Sequence, residues 1–160
     1  MRRVGRWSIK PGRRRRRDAL LAMMSSCALV FFCGCDSNKV SDKDIEFVEV
    51  EDAYTLGAGR TGMLGLGERK PVWIDPRTEA AFQQEHIHGA VNIPLGTLRE
   101  DDPRLDGFNV FIVYASDYGD ALATAMTKRL LASGYDDVRL LRGGLRAWKE
   151  AGNGVETGGN

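Results

Sequence analysis

The chain has 160 residues, enough for one domain of ordinary size and an appendage. Its 23 basic and 22 acidic residues nearly cancel, but nine of the basic ones and a single acid fall in residues 1–35, leaving residues 36–160 at a net charge of about −7, which excludes nucleic-acid binding by counterion release. No cysteine follows Cys35 and the only histidines are His86 and His88, which excludes a disulfide framework, a thiolate zinc site and a His-rich metal site; no cofactor is expected.

Arg13 to Arg17 precede an apolar run from Ala19 to Phe32, about fourteen residues long. A bilayer span needs about 20 apolar residues, whereas the core of a signal peptide needs roughly 7–15. The positive flank stays cytoplasmic, so the downstream chain is expected to be exported. Phe32-Cys33-Gly34-Cys35, followed by the polar Asp36-Ser37-Asn38, resembles the lipobox of bacterial lipoproteins. The resemblance implies a signal peptide over 1–34 and acylation of Cys35, which becomes the mature N-terminus. Two or more acyl chains then give an anchoring that one cannot. An uncleaved signal anchor and an ordinary secretory signal are the alternatives. Residues 35–44 read as the lipidated N-terminus and a polar tether to a domain over 45–152.

Glu46 to Val50 alternates acidic and apolar residues, as a half-buried edge strand does. Glycines at 57, 59, 62, 65 and 67 then rule out a regular element. Gly57-Ala58-Gly59-Arg60-Thr61-Gly62 fits a G-x-G-x-x-G string, but a nucleotide fingerprint must open a helix directly after a strand, so a mobile loop is expected. Val72-Trp73-Ile74 reads as a short strand ending at Asp75, and Thr78 to Glu85 as a helix with Thr78 as N-cap. Ala90-Val91-Asn92 is a brief strand stopped by Pro94. Val110 to Tyr114 is apolar throughout, as a strand covered on both faces requires. Leu122, Ala125, Met126 and Leu130 recur at helical spacing before Gly134. Val138 to Leu141 gives another strand, Gly143-Gly144 turns into a helix over about Leu145 to Ala151, and 153–160 is expected to be a disordered tail. This alternation predicts an α/β fold: a mostly parallel central sheet of about five strands, right-handed crossovers and helices on both faces. Ligands of such sheets bind at the C-terminal ends of the strands, which directs attention to the segment after Tyr114.

Three stretches resemble the rhodanese-homology family. Asp75-Pro76-Arg77, then Phe82, then His86-Ile87-His88-Gly89-Ala90-Val91-Asn92-Ile93-Pro94 is similar to its opening motif. The strand ending at Tyr114 is similar to the one that delivers the family's active-site loop. Gly134-Tyr135, Val138, Gly143-Gly144 and Ala147-Trp148 are similar to its closing motif. In that family a cysteine follows the strand and opens a tight loop into a helix. A thiolate at a helix N-terminus has a lowered pKa, and the loop amides cradle an anion.

Here the corresponding loop is Ala115-Ser116-Asp117-Tyr118-Gly119-Asp120. The resemblance places Ala115 at the nucleophile's position, where a methyl cannot carry sulfur, so no catalytic residue is expected. Gly119 keeps the turn, whereas Asp120 stands where an arginine often helps to bind an anion, and Asp117 adds a second negative charge. Ser116 has no base assigned to activate it and reads as a loop or cap residue. Asp117 and Asp120 read as charges at a helix N-terminus, with cation or basic-partner binding as the alternative. Asp75 and Arg77 read as a structural pair near the site, and Phe82 and Trp148 as core.

The expected protein is therefore a lipid-anchored, extracytoplasmic rhodanese-like module, inactive as a sulfurtransferase, with the membrane and an unidentified protein as partners. Two alternatives are an enzyme of altered chemistry whose thiol comes from a partner, and a structural component of the envelope. Cys35→Ser should abolish fatty-acid labelling and recovery in the membrane fraction, while Cys27→Ser and Cys33→Ser should change neither. Membrane retention of the Cys35→Ser protein would favour the signal anchor instead.

Overall fold

Five short strands run in one direction and assemble into a single parallel sheet. The computed structural model describes residues 40–58 and 68–158. The signal peptide, Cys35 and Gly59 to Gly62 of the glycine string lie outside the described residues. The strands are β1 (Glu46–Val48), β2 (Pro71–Asp75), β3 (Ala90–Asn92), β4 (Val110–Val113) and β5 (Val138–Leu141), in the spatial order β1-β5-β4-β2-β3. The helices are α1 (Val50–Gly57), α2 (Glu79–Gln84), α3 (Ala121–Ala132) and α4 (Gly144–Glu150).

Strand alternation sorts the core into two layers. Phe111 and Val113 of β4, Val72 and Ile74 of β2, and Val138 and Leu140 of β5 meet Ala123, Met126 and Leu130 of α3 on one face. Val110, Ile112 and Tyr114, with Trp73 and Leu141, meet α1, Phe82 of α2 and Trp148 of α4 on the other. β4 is paired on both sides and all four of its residues are buried, as its unbroken apolar run requires. Thr78 caps α2 by accepting from the Ala81 amide. On α3 the buried stripe is Ala123, Met126, Thr127 and Leu130, while Leu122 and Ala125 of the predicted stripe are half-buried. The buried Thr127 hydroxyl donates to the Ala123 carbonyl at 2.9 Å.

Three expectations are corrected. The edge strand stops at Val48, and Val50 opens α1, a helix the alternation concealed; Val50 and Ala53 are its buried pair. Gly57 ends that helix against Trp73: a Cβ there would lie 2.6 Å from the indole Nε1. Asp42–Asp44, expected to belong to a polar tether, instead forms a 3₁₀ turn with a capping box between Ser41 and Asp44, and Asp42 pairs with Lys128. The residues after Gly152 are docked. Trp148 Nε1 donates to the Gly154 carbonyl, Glu156 exchanges two backbone hydrogen bonds with His86, and the Gly158 amide donates to Gln83. Val155 packs against the core there, but a single apolar residue makes no periodic pattern, and backbone groups and the indole N–H supply the rest of the docking.

Ile112 is fully buried at the centre of β4. Ile112→Asp places an unpaired carboxylate there, at a cost of several kcal/mol against a total stability of about 5–15 kcal/mol. The variant should lose its cooperative thermal transition; a melt within a few degrees of the parent would contradict the central placement.

Candidate functional site

β4 delivers its C-terminal end into Tyr114 and the loop Ala115 to Asp120, which leads into α3. Tyr114 is fully buried, and its hydroxyl oxygen accepts from the Ile87 amide at 3.1 Å. Burial pushes that phenol far above its ordinary range and the Asp75 carboxylate adds to the effect, so it stays protonated and is no nucleophile.

The loop is held from two sides. The Leu145 and Arg146 amides, in the first turn of α4, donate to the Ala115 and Ser116 carbonyls at 2.8 and 3.0 Å. Amides in a helix's first turn have no acceptor within the helix, so the loop satisfies them. This requires glycine at 144, where φ is +56° and a Cβ would lie 2.5 Å from the Ala115 oxygen. Gly143, at φ +77°, lies against the Tyr118 ring, whose Cζ would be 2.6 Å from a Cβ.

From the other side, the Asp120 carboxylate bridges the loop. Oδ1 accepts from the Leu122 amide at 2.9 Å, capping α3, and Oδ2 accepts from the Ser116 amide at 3.1 Å. Gly119, at φ +74°, makes the reversal between them. Asp117 and Tyr118 are exposed at the tip, and Ala115 is buried beneath it. Among the described residues the Asp117 carboxylate makes no hydrogen bond; on α4 it interacts electrostatically with Arg146.

A cavity of about 270 Å³ opens beside Ala115, walled by the loop, the start of α3 and the ends of β1 and β5. Phe47 and Arg142 line it. The Arg142 guanidinium lies 4.6 Å over the Phe47 ring, and its Nε donates to Glu49 at 2.7 Å. A larger groove of about 460 Å³ flanks edge strand β3, but its cation, Arg104, is tied to Asp102 and its hydroxyl, Thr97, donates to the Pro94 carbonyl.

Asp75 and Arg77 sit at the C-terminal end of β2, on the same edge of the sheet, but they do not line the cavity. Asp75 is fully buried, and Arg77 bonds both of its carboxylate oxygens and the Glu85 carbonyl. Asn92 bonds the Asp75 and Arg77 carbonyls, so the pair ties β2, α2 and β3 together. His86 is equally committed: it stacks on Phe82 at 3.8 Å and its Nδ1 meets the Phe82 carbonyl. Neither histidine lines the cavity to activate Ser116. Among the described residues no three His, Cys, Asp or Glu side chains converge on a metal position.

This arrangement, a parallel sheet with its cavity between a strand-to-helix loop and the first turn of the last helix, accompanies a match of residues 63–151 to the family model for the rhodanese-like domain. The chain belongs to the rhodanese-like domain family. It is 30% identical over 122 residues to the protein HIGH ARSENIC CONTENT 1, mitochondrial, of Arabidopsis thaliana, covering 69% of this chain and 67% of that protein. It is 27% identical over 82 residues to the thiosulfate sulfurtransferase GlpE of Coxiella burnetii, covering 51% of this chain and 75% of that one. Among solved structures, the BH2092 protein of Bacillus halodurans superposes with a TM-score of 0.59 at 25% identity, covering 72% and 79% of the two chains. A thiosulfate sulfurtransferase of Pseudomonas aeruginosa gives 0.55 at 32% identity, over 71% of this chain and 20% of that one.

The sequence placed the loop of this rhodanese-like domain but not Phe47, Arg142 or Thr124, which also line its cavity. Phe47 arrives because β1 pairs with β5, opposite Leu140. Only that long-range pairing brings it to the site, and no local pattern encodes it.

The close approach at Gly144 is open to test. Gly144→Ala should cost about 2 kcal/mol or more, combining left-handed strain with the overlap on the Ala115 oxygen. Gly107→Ala, at φ +82° but with open space around the Cβ, should cost only the strain, about 1–2 kcal/mol. Urea unfolding of both variants measures the difference; equal losses would mean that the loop yields to the added methyl.

Proposed function

We propose that this rhodanese-like domain is anchored by lipid at Cys35 on the extracytoplasmic side of the membrane, does not transfer sulfur, and acts as a binding or regulatory module. The observation that carries the reading is the Asp120 carboxylate bonded across the loop to the Ser116 amide. At the head of that loop stands Ala115, whose methyl has no lone pair with which to take up sulfur. An anionic sulfur donor would meet two carboxylates, and one loop amide is already occupied by an internal anion. At about 6 Å and an effective dielectric of roughly 20–80, each carboxylate opposes a monoanion by about 0.7–3 kcal/mol. The cavity beside Ala115 is open, which suits a ligand or a partner's side chain. The same opening favours the second reading, an enzyme of altered chemistry that borrows a partner's thiol.

Two of the relatives are named thiosulfate sulfurtransferases, which sets the assay. Full-length protein with Cys27, Cys33 and Cys35 all changed to serine should transfer no sulfur from thiosulfate to cyanide above the buffer rate. Robust turnover would overturn the proposal, since that chain contains no thiol. Ala115→Cys in the same background should restore little. Adding Asp120→Ser keeps a capping oxygen and removes the charge, and should raise the Ala115→Cys rate about tenfold, each 1.4 kcal/mol being roughly one decade. Full activity from Ala115→Cys alone would show that the Asp120 bridge does not block the loop.

A further inference from the structure

The cavity beside Ala115 already contains one guanidinium held between an aromatic face and a carboxylate: Arg142, over Phe47 and bonded to Glu49. Across the same cavity, Tyr118 and Asp117 offer a second such pair. Tyr118 is 57% exposed, with Gly143 against its ring, and the Asp117 carboxylate has no hydrogen-bond partner among the described residues. The nearby cations are already paired, Arg142 with Glu49 and Arg146 with Glu150. With Asp117 and Asp120 counted, the mouth of the cavity carries an excess of negative charge. We propose that it receives a lysine or arginine side chain of a partner protein, seated on Tyr118 and paired with Asp117. This rests on the reading of the site as a binding module and names the chemistry of what it binds.

Two further observations fit that occupant. The Ser116 and Leu122 amides, which would otherwise attract an anion, are satisfied by Asp120. The remainder of the fold is acidic as well, with residues 36–160 at about −7, so a basic segment is attracted from a distance. The topology leaves room for such a partner. All strands run parallel, and the chain enters the domain at the start of β1, on the N-terminal edge of the sheet. The cavity opens at the opposite edge, away from that point of entry. A cation on an aromatic face beside a carboxylate gains from both, and removal of either should be felt.

Full-length protein in detergent, titrated with a fluorescein-labelled arginine-serine repeat peptide, tests the idea by anisotropy. Saturable binding is expected, with none for the glutamate-serine counterpart. Asp117→Asn and Tyr118→Ala should each weaken it about fivefold or more, and Tyr118→Phe, which keeps the aromatic face, should leave it within about twofold. Glu79→Gln removes a carboxylate beside the β3 groove, away from the cavity, and should have no effect. Absence of binding, or an equal loss in Glu79→Gln and Asp117→Asn, would overturn this inference alone. Sulfur transfer by the cysteine-free chain would instead overturn the reading on which it rests.

Discussion

Backbone meets backbone where Gly144 passes Ala115, and much of the domain depends on that contact. A side chain at 144 would overlap the Ala115 oxygen, so only glycine lets α4 start there and give its first amides to the loop. With its start fixed, α4 sets Trp148 5.0 Å from Trp73 and 6.0 Å from Tyr54, which closes the aromatic layer over β2 and α1. The Trp148 indole N–H in turn holds Gly154, and the chain beyond it pairs with His86. Loop, last helix, aromatic layer and tail are thus one mechanical series. A displacement of a few tenths of an ångström at its head would be passed along by contacts as close-packed as these.

Asp120 shows how a single carboxylate can brace a loop and cap the helix that follows it. An N-cap is worth about 0.5–2 kcal/mol, and the second hydrogen bond, to Ser116, anchors the head of the loop with the same carboxylate. A free anion seeking that amide must displace a group covalently delivered to it. Intramolecular delivery corresponds to a high effective concentration, so a dilute external anion is at a disadvantage even before charge repulsion is counted. The same carboxylate therefore both braces the loop and opposes an incoming anion. The outward consequence falls on Asp117, which no such bond employs.

The parts of this fold that were legible in the sequence are those decided by local pattern. The Val110 to Tyr114 run, the Thr78 cap and the glycines at 134 and 143 each carry a physical requirement visible within a few residues. α1 was not legible, because the five residues of alternation from Glu46 to Val50 satisfy a strand and a helix start equally well, and the glycine at 57 looked like a loop when it marks contact with Trp73. The loop of the candidate site was readable, but its walls were not. Phe47 and Arg142 reach the cavity through the β1–β5 pairing, between segments about ninety residues apart. The bridging role of Asp120 was equally hidden: composition gives a charge, and only geometry shows which amides it serves.

The stability of the domain and the chemistry of its loop are separable. The sheet edge at the site is built by Asp75, Arg77, Asn92 and Tyr114, whose buried hydrogen bonds involve no side chain of the loop. Leaving any of those buried groups unpaired would cost about 1–3 kcal/mol, and more if charged, so that edge resists change. Position 115, by contrast, contributes its carbonyl to α4 and only a methyl to the core. Its side chain carries no hydrogen bond that the fold needs. The fold thus separates the side chain at the head of the loop from the hydrogen bonds that hold the sheet edge, and Phe47, Asp117, Tyr118 and Arg142 line the cavity beside it.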